Sequence, residues 1–197
     1  MHLVLGPRGT TWWEASLNGA GPSPESNAAE SAGLLIVGLG NPFMVDDGIG
    51  HEVVRRLRTF GPPPGVRLAV LDGDVLGLAS VWAGERKVWL VDAVSGDLPA
   101  GRVHVYDHPH VLSLPTGEFS AHHPSLGESL RWLLLGHPEM ADIEFKLYGL
   151  EVDRVRPGRG LSSAVEPAVA ELASSLLQEA SASVAINPGG RPAVARG

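Results

Sequence analysis

The stretch Gly33-Leu-Leu-Ile-Val-Gly-Leu-Gly-Asn-Pro-Phe-Met-Val-Asp-Asp-Gly-Ile-Gly50 decides the fold. Residues 34–39 form a short apolar run, the pattern of a strand buried on both faces of a parallel sheet. The run ends in Gly38-Leu39-Gly40-Asn41-Pro42, where glycine permits unusual backbone angles and proline cannot donate to a ladder. Asp46 and Asp47 follow, and Gly48-Ile49-Gly50 leads into an amphipathic segment. The order is therefore strand, loop, acid pair, helix, with the acids at the strand's carboxyl end. Open α/β sheets bind their ligands on that edge. A Rossmann phosphate loop is the competing reading, but G-x-G-x-x-G would need glycine where Phe43 stands. Two aspartates at the helix start would also repel a pyrophosphate. A cation or a cationic group suits this loop better.

Working outward, Ile49, Val53, Leu57 and Phe60 recur at helical spacing, and Gly61-Pro-Pro-Pro-Gly65 ends that helix. A second strand is expected over 66–71, followed at once by Asp72-Gly73-Asp74. A helix over about 75–83 and a third strand over 88–92 come next, and the third strand ends in Asp92. This β-α-β-α-β order implies right-handed crossovers and a parallel sheet. Asp46 or Asp47, Asp72 or Asp74, and Asp92 then fall along one sheet edge, although they are far apart in sequence. Asp74 also fits a helix cap. Carboxylates held together raise one another's pKa unless a cation or a donor sits among them.

The rest of the chain alternates in the same way. The spacing from the third strand to 102–106 leaves no room for a crossover helix, so that segment is expected to be an antiparallel strand at or near an edge. A polar loop over 107–120 holds His108 and His110, and a helix is expected from about Leu126 to Leu135. A buried strand over 143–150 and a loop over 151–160 follow. Ser163-x-x-Glu166 reads as a capping box for a last helix with the stripe Val165, Val169, Leu172 and Leu176. His2, His51, His104 and His137 read as surface or satisfied residues. His108 and His110 could serve a metal only from a mobile loop. His122 or His123, beside an acidic edge, would add the neutral ligand that a borderline ion such as nickel or zinc accepts.

Composition narrows the function. The 197 residues suffice for one domain with a sizeable core. A formal charge of −7 argues against a nucleic-acid partner held by phosphate contacts. With no cysteine, disulfides, thiolate metal sites and a cysteine nucleophile are excluded. No apolar run approaches the roughly 20 residues that span a bilayer. Residues 1–32 lack the apolar core of a signal peptide and read as a flexible extension, with the odd pair Trp12-Trp13 inside it. Residues 33–180 are the expected domain, and 181–197 read as a disordered tail. A cytoplasmic location is expected.

Together these residues resemble a known family. Gly38-x-Gly40-Asn41-Pro42-x-x-x-x-Asp46-Asp47-Gly48-x-Gly50 is similar to the opening motif of the nickel–iron hydrogenase maturation endopeptidases. Leu71-Asp72-Gly73-Asp74 resembles the loop after that family's second strand, and Val91-Asp92-Ala93 its third-strand aspartate. Ser120-Ala-His122 resembles the histidine block, and Leu147-Tyr-Gly-Leu-Glu151 through Gly160-Leu161-Ser162 fits the C-terminal pattern. The likeness runs from about Leu34 to Leu177.

The resemblance implies one three-layer α/β/α domain of the phosphorylase/hydrolase type, with a mostly parallel twisted sheet and one antiparallel strand. It implies a hydrolase, an endopeptidase often classed as aspartic-type. The reaction removes a C-terminal extension from a hydrogenase large-subunit precursor after nickel insertion, with the bound nickel as recognition signal. Nickel is then supplied by the substrate and bound transiently. The family's metal contacts map onto Asp47, Asp92 and His122, with His123 adjacent as the other possible ligand. Asp47, Asp92 and Asp72 are the catalytic candidates, Asp72 through the loop associated with substrate recognition. Asp74 replaces the family's usual small residue in that loop. Two other readings stand beside this one: a non-catalytic nickel-checking chaperone of the precursor, and a hydrolase of the peptidyl-tRNA hydrolase type, which shares Gly38-Leu-Gly-Asn-Pro42 but not the acids after it.

Overall fold

A computed structural model describes residues 33–96, 98–114, 125–153 and 155–185. The expected extension 1–32, His122 and His123, and residues 186–197 lie outside the described residues. The elements are β1 (Leu34–Gly40), β2 (Met44–Val45), α1 (Ile49–Phe60), β3 (Val66–Asp72), α2 (Leu78–Val81), β4 (Lys87–Val94), β5 (Val103–Asp107), α3 (His108–Leu112), α4 (Leu126–Gly136), β6 (Glu144–Glu151), β7 (Arg156–Pro157) and α5 (Glu166–Ala185).

Five strands form one sheet in the order β3-β1-β4-β6-β5, and β2 and β7 form a separate antiparallel ribbon. The pairs of β1 with β3, β1 with β4, and β4 with β6 are parallel, while β5 runs antiparallel to β6 at the edge. The fold is the expected three-layer α/β/α. All seven residues of β1 are buried, as a central strand covered on both faces must be. One face carries Ile36, Trp89, Val91, Tyr148 and Leu150 against α1 and α5, through Ile49, Val53, Leu57, Val169 and Leu176. The other carries Val37, Leu90, Phe145 and Leu147 against Val75, Leu78, Val111, Leu130 and Leu133.

The connection from β1 goes one way, through α1 on one face, to β3. The connection from β3 returns across the opposite face to β4, on the far side of β1. The strand order therefore reverses between β1 and β4, and a crevice opens at their carboxyl ends.

Several local expectations are corrected. Phe60 belongs to the α1 repeat by spacing but is exposed, because it is the last residue of the helix and lies beyond the sheet that Leu57 covers. The segment expected as a mobile loop after β5 contains α3, where His108 stacks on Phe145 and its Nδ1 accepts the Phe145 N–H at 3.1 Å. The second helix shrinks to a 3-10 turn at Val75–Gly77 plus the short α2. Helix α5 starts at Glu166, whose carboxylate pairs with Arg56 of α1 rather than closing a box onto Ser163. The same helix continues to Ala185, past the point at which a disordered tail is expected. Asp74 is a cap, as its position suggests, accepting the Leu76 N–H at 2.9 Å. No helix among the described residues is long and apolar enough to cross a membrane.

Candidate active site

The glycines of the opening motif are packing residues. A Cβ on Gly38 would lie 2.1 Å from the Gly50 carbonyl oxygen, and one on Gly50 would lie 2.3 Å from that of Leu39 and 2.5 Å from that of Val91. The first turn of α1 therefore rests directly on β1 and β4, which only glycine allows. Gly40 has φ +114, and a Cβ there would lie 1.9 Å from the Asp47 carbonyl oxygen. This close approach brings the acid loop down onto the end of β1.

The two adjacent acids then part company. Asp46 is buried at 3% exposure with φ 66, in the left-handed region that Asp tolerates better than most residues. Its Oδ1 accepts the Ser162 N–H at 2.7 Å and ties the acid loop to the segment that precedes α5. Asp47 is half-buried, and its Oδ2 accepts the Asn41 N–H at 2.9 Å. Asn41 in turn accepts the Phe43 N–H at 2.9 Å, which fixes the turn around Pro42. Sequence spacing alone left Asp46 and Asp47 interchangeable. The fold commits the first to the backbone and leaves the second beside the crevice.

Asp92, near the end of β4, meets Asp47 across the reversal point. Burial pushes the Asp92 carboxyl up to about 7, the nearby Asp47 charge adds to the rise, and the Ala93 N–H opposes it. That N–H donates to Asp92 Oδ1 at 2.9 Å. Among the described residues no lysine or arginine forms an ion pair with either carboxylate. Two acids held this way favour a proton or a cation between them.

Asp72 stands apart from this pair. It closes β3, the strand on the other side of β1, with its side chain 85% exposed and its Oδ1 3.3 Å from His51 Nε2. The same ring nitrogen lies 3.4 Å from the Leu71 carbonyl oxygen, so His51, on α1, is satisfied as expected but stands at the site. The Gly73 N–H donates to the Gly40 carbonyl at 3.2 Å and joins the two strand-end loops. Of the expected site residues, the fold thus brings Asp47 and Asp92 together and sets Asp72 on the rim. The described residues contain no cluster of three or more metal-ligating side chains, and the expected imidazole of His122 or His123 lies outside them.

A further acid, Glu151, stands at the same edge, and motif spacing does not single it out as a site residue. Glu151 ends β6, is 1% exposed, and bonds His104 Nε2 at 2.7 Å and the Gly96 N–H. Its sequence signal is an acid closing a largely apolar strand, the cue that also marks Asp92.

Comparison with known proteins gives a consistent answer. No family model matches the chain. Protein FrxA of Pyrococcus furiosus is 31% identical over 140 residues, covering 69% of this chain and 98% of its own. A putative hydrogenase maturation protease of Methanocaldococcus jannaschii is 30% identical over 150 residues, covering 74% of this chain and 95% of its own. The solved structure of the NiFe hydrogenase maturation protease HybD from Thermococcus kodakarensis superposes with a TM-score of 0.64 at 26% identity, covering 75% of this chain and 98% of that one. These likenesses cover most of the chain and set aside the peptidyl-tRNA hydrolase reading. The chain belongs to the hydrogenase maturation protease family.

Proposed function

We propose that this peptidase removes a C-terminal extension from the large-subunit precursor of a nickel–iron hydrogenase, in the cytoplasm, once nickel has been inserted. The observation that carries this reading is the Asp47–Asp92 pair at the strand-order reversal, with Asp92 raised to about 7 and no ion pair to a lysine or arginine among the described residues. Nickel is part of the substrate here, held by the precursor. Two carboxylates and one imidazole make a hard, weak site for nickel, suited to sensing an ion that stays with its owner. His122 or His123 would provide the imidazole.

The chain's own residues have separable tasks. Asn41 holds one oxygen of Asp47, so that carboxylate keeps its orientation whether or not substrate is present. Asp92, at about 7, gains or loses a proton near neutrality, as a general base for an attacking water requires. Arrival of a cation would draw Asp92 into its charged form and strengthen its contact with the substrate. In this reading Asp72 and His51, which pair on the rim, contact the precursor chain rather than the bond being cut.

Intact mass of a nickel-loaded precursor before and after mixing tests the reading, with nickel-free precursor and Asp92→Asn as controls. Loss of a C-terminal peptide is expected only with nickel and only with Asp92. Binding without a mass change would favour a checking chaperone instead. Cleavage at full rate by Asp92→Asn would remove the proposed role of that carboxylate.

A further inference from the structure

Glu151 is held through both its carboxylate and its backbone. Its carboxylate accepts the Gly96 N–H and lies 2.7 Å from His104 Nε2. Its own N–H donates to the Arg102 carbonyl at 2.8 Å, and its carbonyl accepts the Gly101 N–H at 2.8 Å. One residue thus fastens both ends of the segment 95–102, which leaves β4 just after Asp92. The segment approaches closely enough that a Cβ on Gly96 would sit 3.3 Å from the carboxylate.

The register then places His104 relative to Asp92. Both residues are opposite Gly149, on β5 and β4 respectively, so the three form one row across neighbouring strands. Side chains in such a row share a face, here the face of Leu90, Leu147 and Tyr106. Gly149 has no side chain, and Val94 leans over it, 2.7 Å from where a Cβ would be. The row therefore runs from carboxyl to apolar floor to imidazole. It spans two strand spacings, about 10 Å, the length of about three extended residues. The His104 side chain remains 23% exposed beside its buried partner.

We propose that His104 and Glu151 form a substrate subsite of this peptidase, in which His104 contacts the precursor chain about three residues from the bond that Asp92 serves. This rests on the processing reading above. Glu151 is the positioning residue. Because its carboxylate accepts, Nε2 of His104 carries the hydrogen, and Nδ1 is the ring's remaining polar atom for an extended substrate segment.

Glu151→Gln separates positioning from mere support. An amide that keeps its oxygen on the Gly96 N–H must turn its NH2 toward Nε2, which reverses the ring tautomer while the segment stays fastened. The experiment is processing of nickel-loaded precursor at pH 8 by the wild type, His104→Ala and Glu151→Gln. Each enzyme is assayed on precursors substituted singly to alanine at the four positions on either side of the cut, and a nitrogen-15 imidazole spectrum is recorded for each. His104→Ala is expected to raise KM about tenfold with kcat within about threefold, the pattern of lost binding rather than lost chemistry. It should also abolish the wild type's sensitivity to one precursor position about three residues from the cut. Glu151→Gln should unfold like the wild type, show the other tautomer and share that loss of preference. Wild-type cleavage with an unchanged KM and substitution profile in His104→Ala would overturn the subsite and leave the processing reading standing. Failure of the wild type to cut any nickel-loaded precursor would overturn both.

Discussion

Asp92 should destabilise the protein it serves. Its carboxyl has a pKa of about 7 in the fold against 3.8 as the ordinary value, with burial the larger cause and the Asp47 charge the smaller. A carboxyl raised on folding contributes nothing unfavourable while both states are protonated, below about pH 3. From there stability falls as pH rises, because the unfolded chain has released a proton that the fold retains, and the loss is complete just above pH 7. Roughly three pH units at 1.36 kcal/mol each set a ceiling of about 4 kcal/mol, and partial access of solvent to the residue brings the expected loss to about 2–4 kcal/mol. Asp92→Asn removes the titration but keeps an oxygen to accept the Ala93 N–H now held at 2.9 Å. The variant should therefore be more stable than the wild type by about 2–4 kcal/mol at pH 8, by about half of that near pH 5.5, and by nearly nothing at about pH 3. Urea unfolding of the metal-free protein at those three pH values reads this directly. Asp47→Asn should show the same trend with a smaller gain, since burial remains. Both variants should lose precursor processing, so stability and activity move in opposite directions. A gain of equal size at every pH, or no gain at pH 8, would refute the assignment of this group as a buried, repelled acid.

Two other outcomes follow from the packing. Gly50→Ala places a methyl group within 2.5 Å of two carbonyl oxygens, Leu39 and Val91, so it should cost more than about 3 kcal/mol in urea unfolding and reduce processing with it. Asp72→Asn alters an exposed carboxylate beside His51, so unfolding should change by less than about 0.5 kcal/mol while KM for the precursor rises. A kcat loss matching that of Asp92→Asn would instead move Asp72 into the reacting centre.

Much of this molecule follows from local pattern. The apolar run of β1, the stripes of α1 and α5 and the short spacing before β5 led to a parallel sheet with one antiparallel edge strand, which is what forms. The acids after β1, β3 and β4 were placed on one edge because parallel strands joined by crossovers share the direction of their ends. Periodicity reports which face a residue turns to the core, and so it reached this far. It does not extend to Phe60, which has the α1 spacing but is exposed at the end of the helix.

The partners of each acid were settled by tertiary structure alone. Asp46 and Asp47 are neighbours in sequence with the same chemistry, but a left-handed backbone at Asp46 sends one to the Ser162 N–H and leaves the other facing Asp92. Asp72 reads like Asp92 along the chain, yet strand order puts it on the outer side of β1, away from the reversal point. Glu151 and His104, 47 residues apart, meet because an antiparallel strand returns beside β6 in one particular register. Residue type and spacing determine which elements form and which end of the sheet is charged. Strand order, register and the close approaches that glycine allows decide which charges meet, because each is a property of elements packed together and of none of them alone.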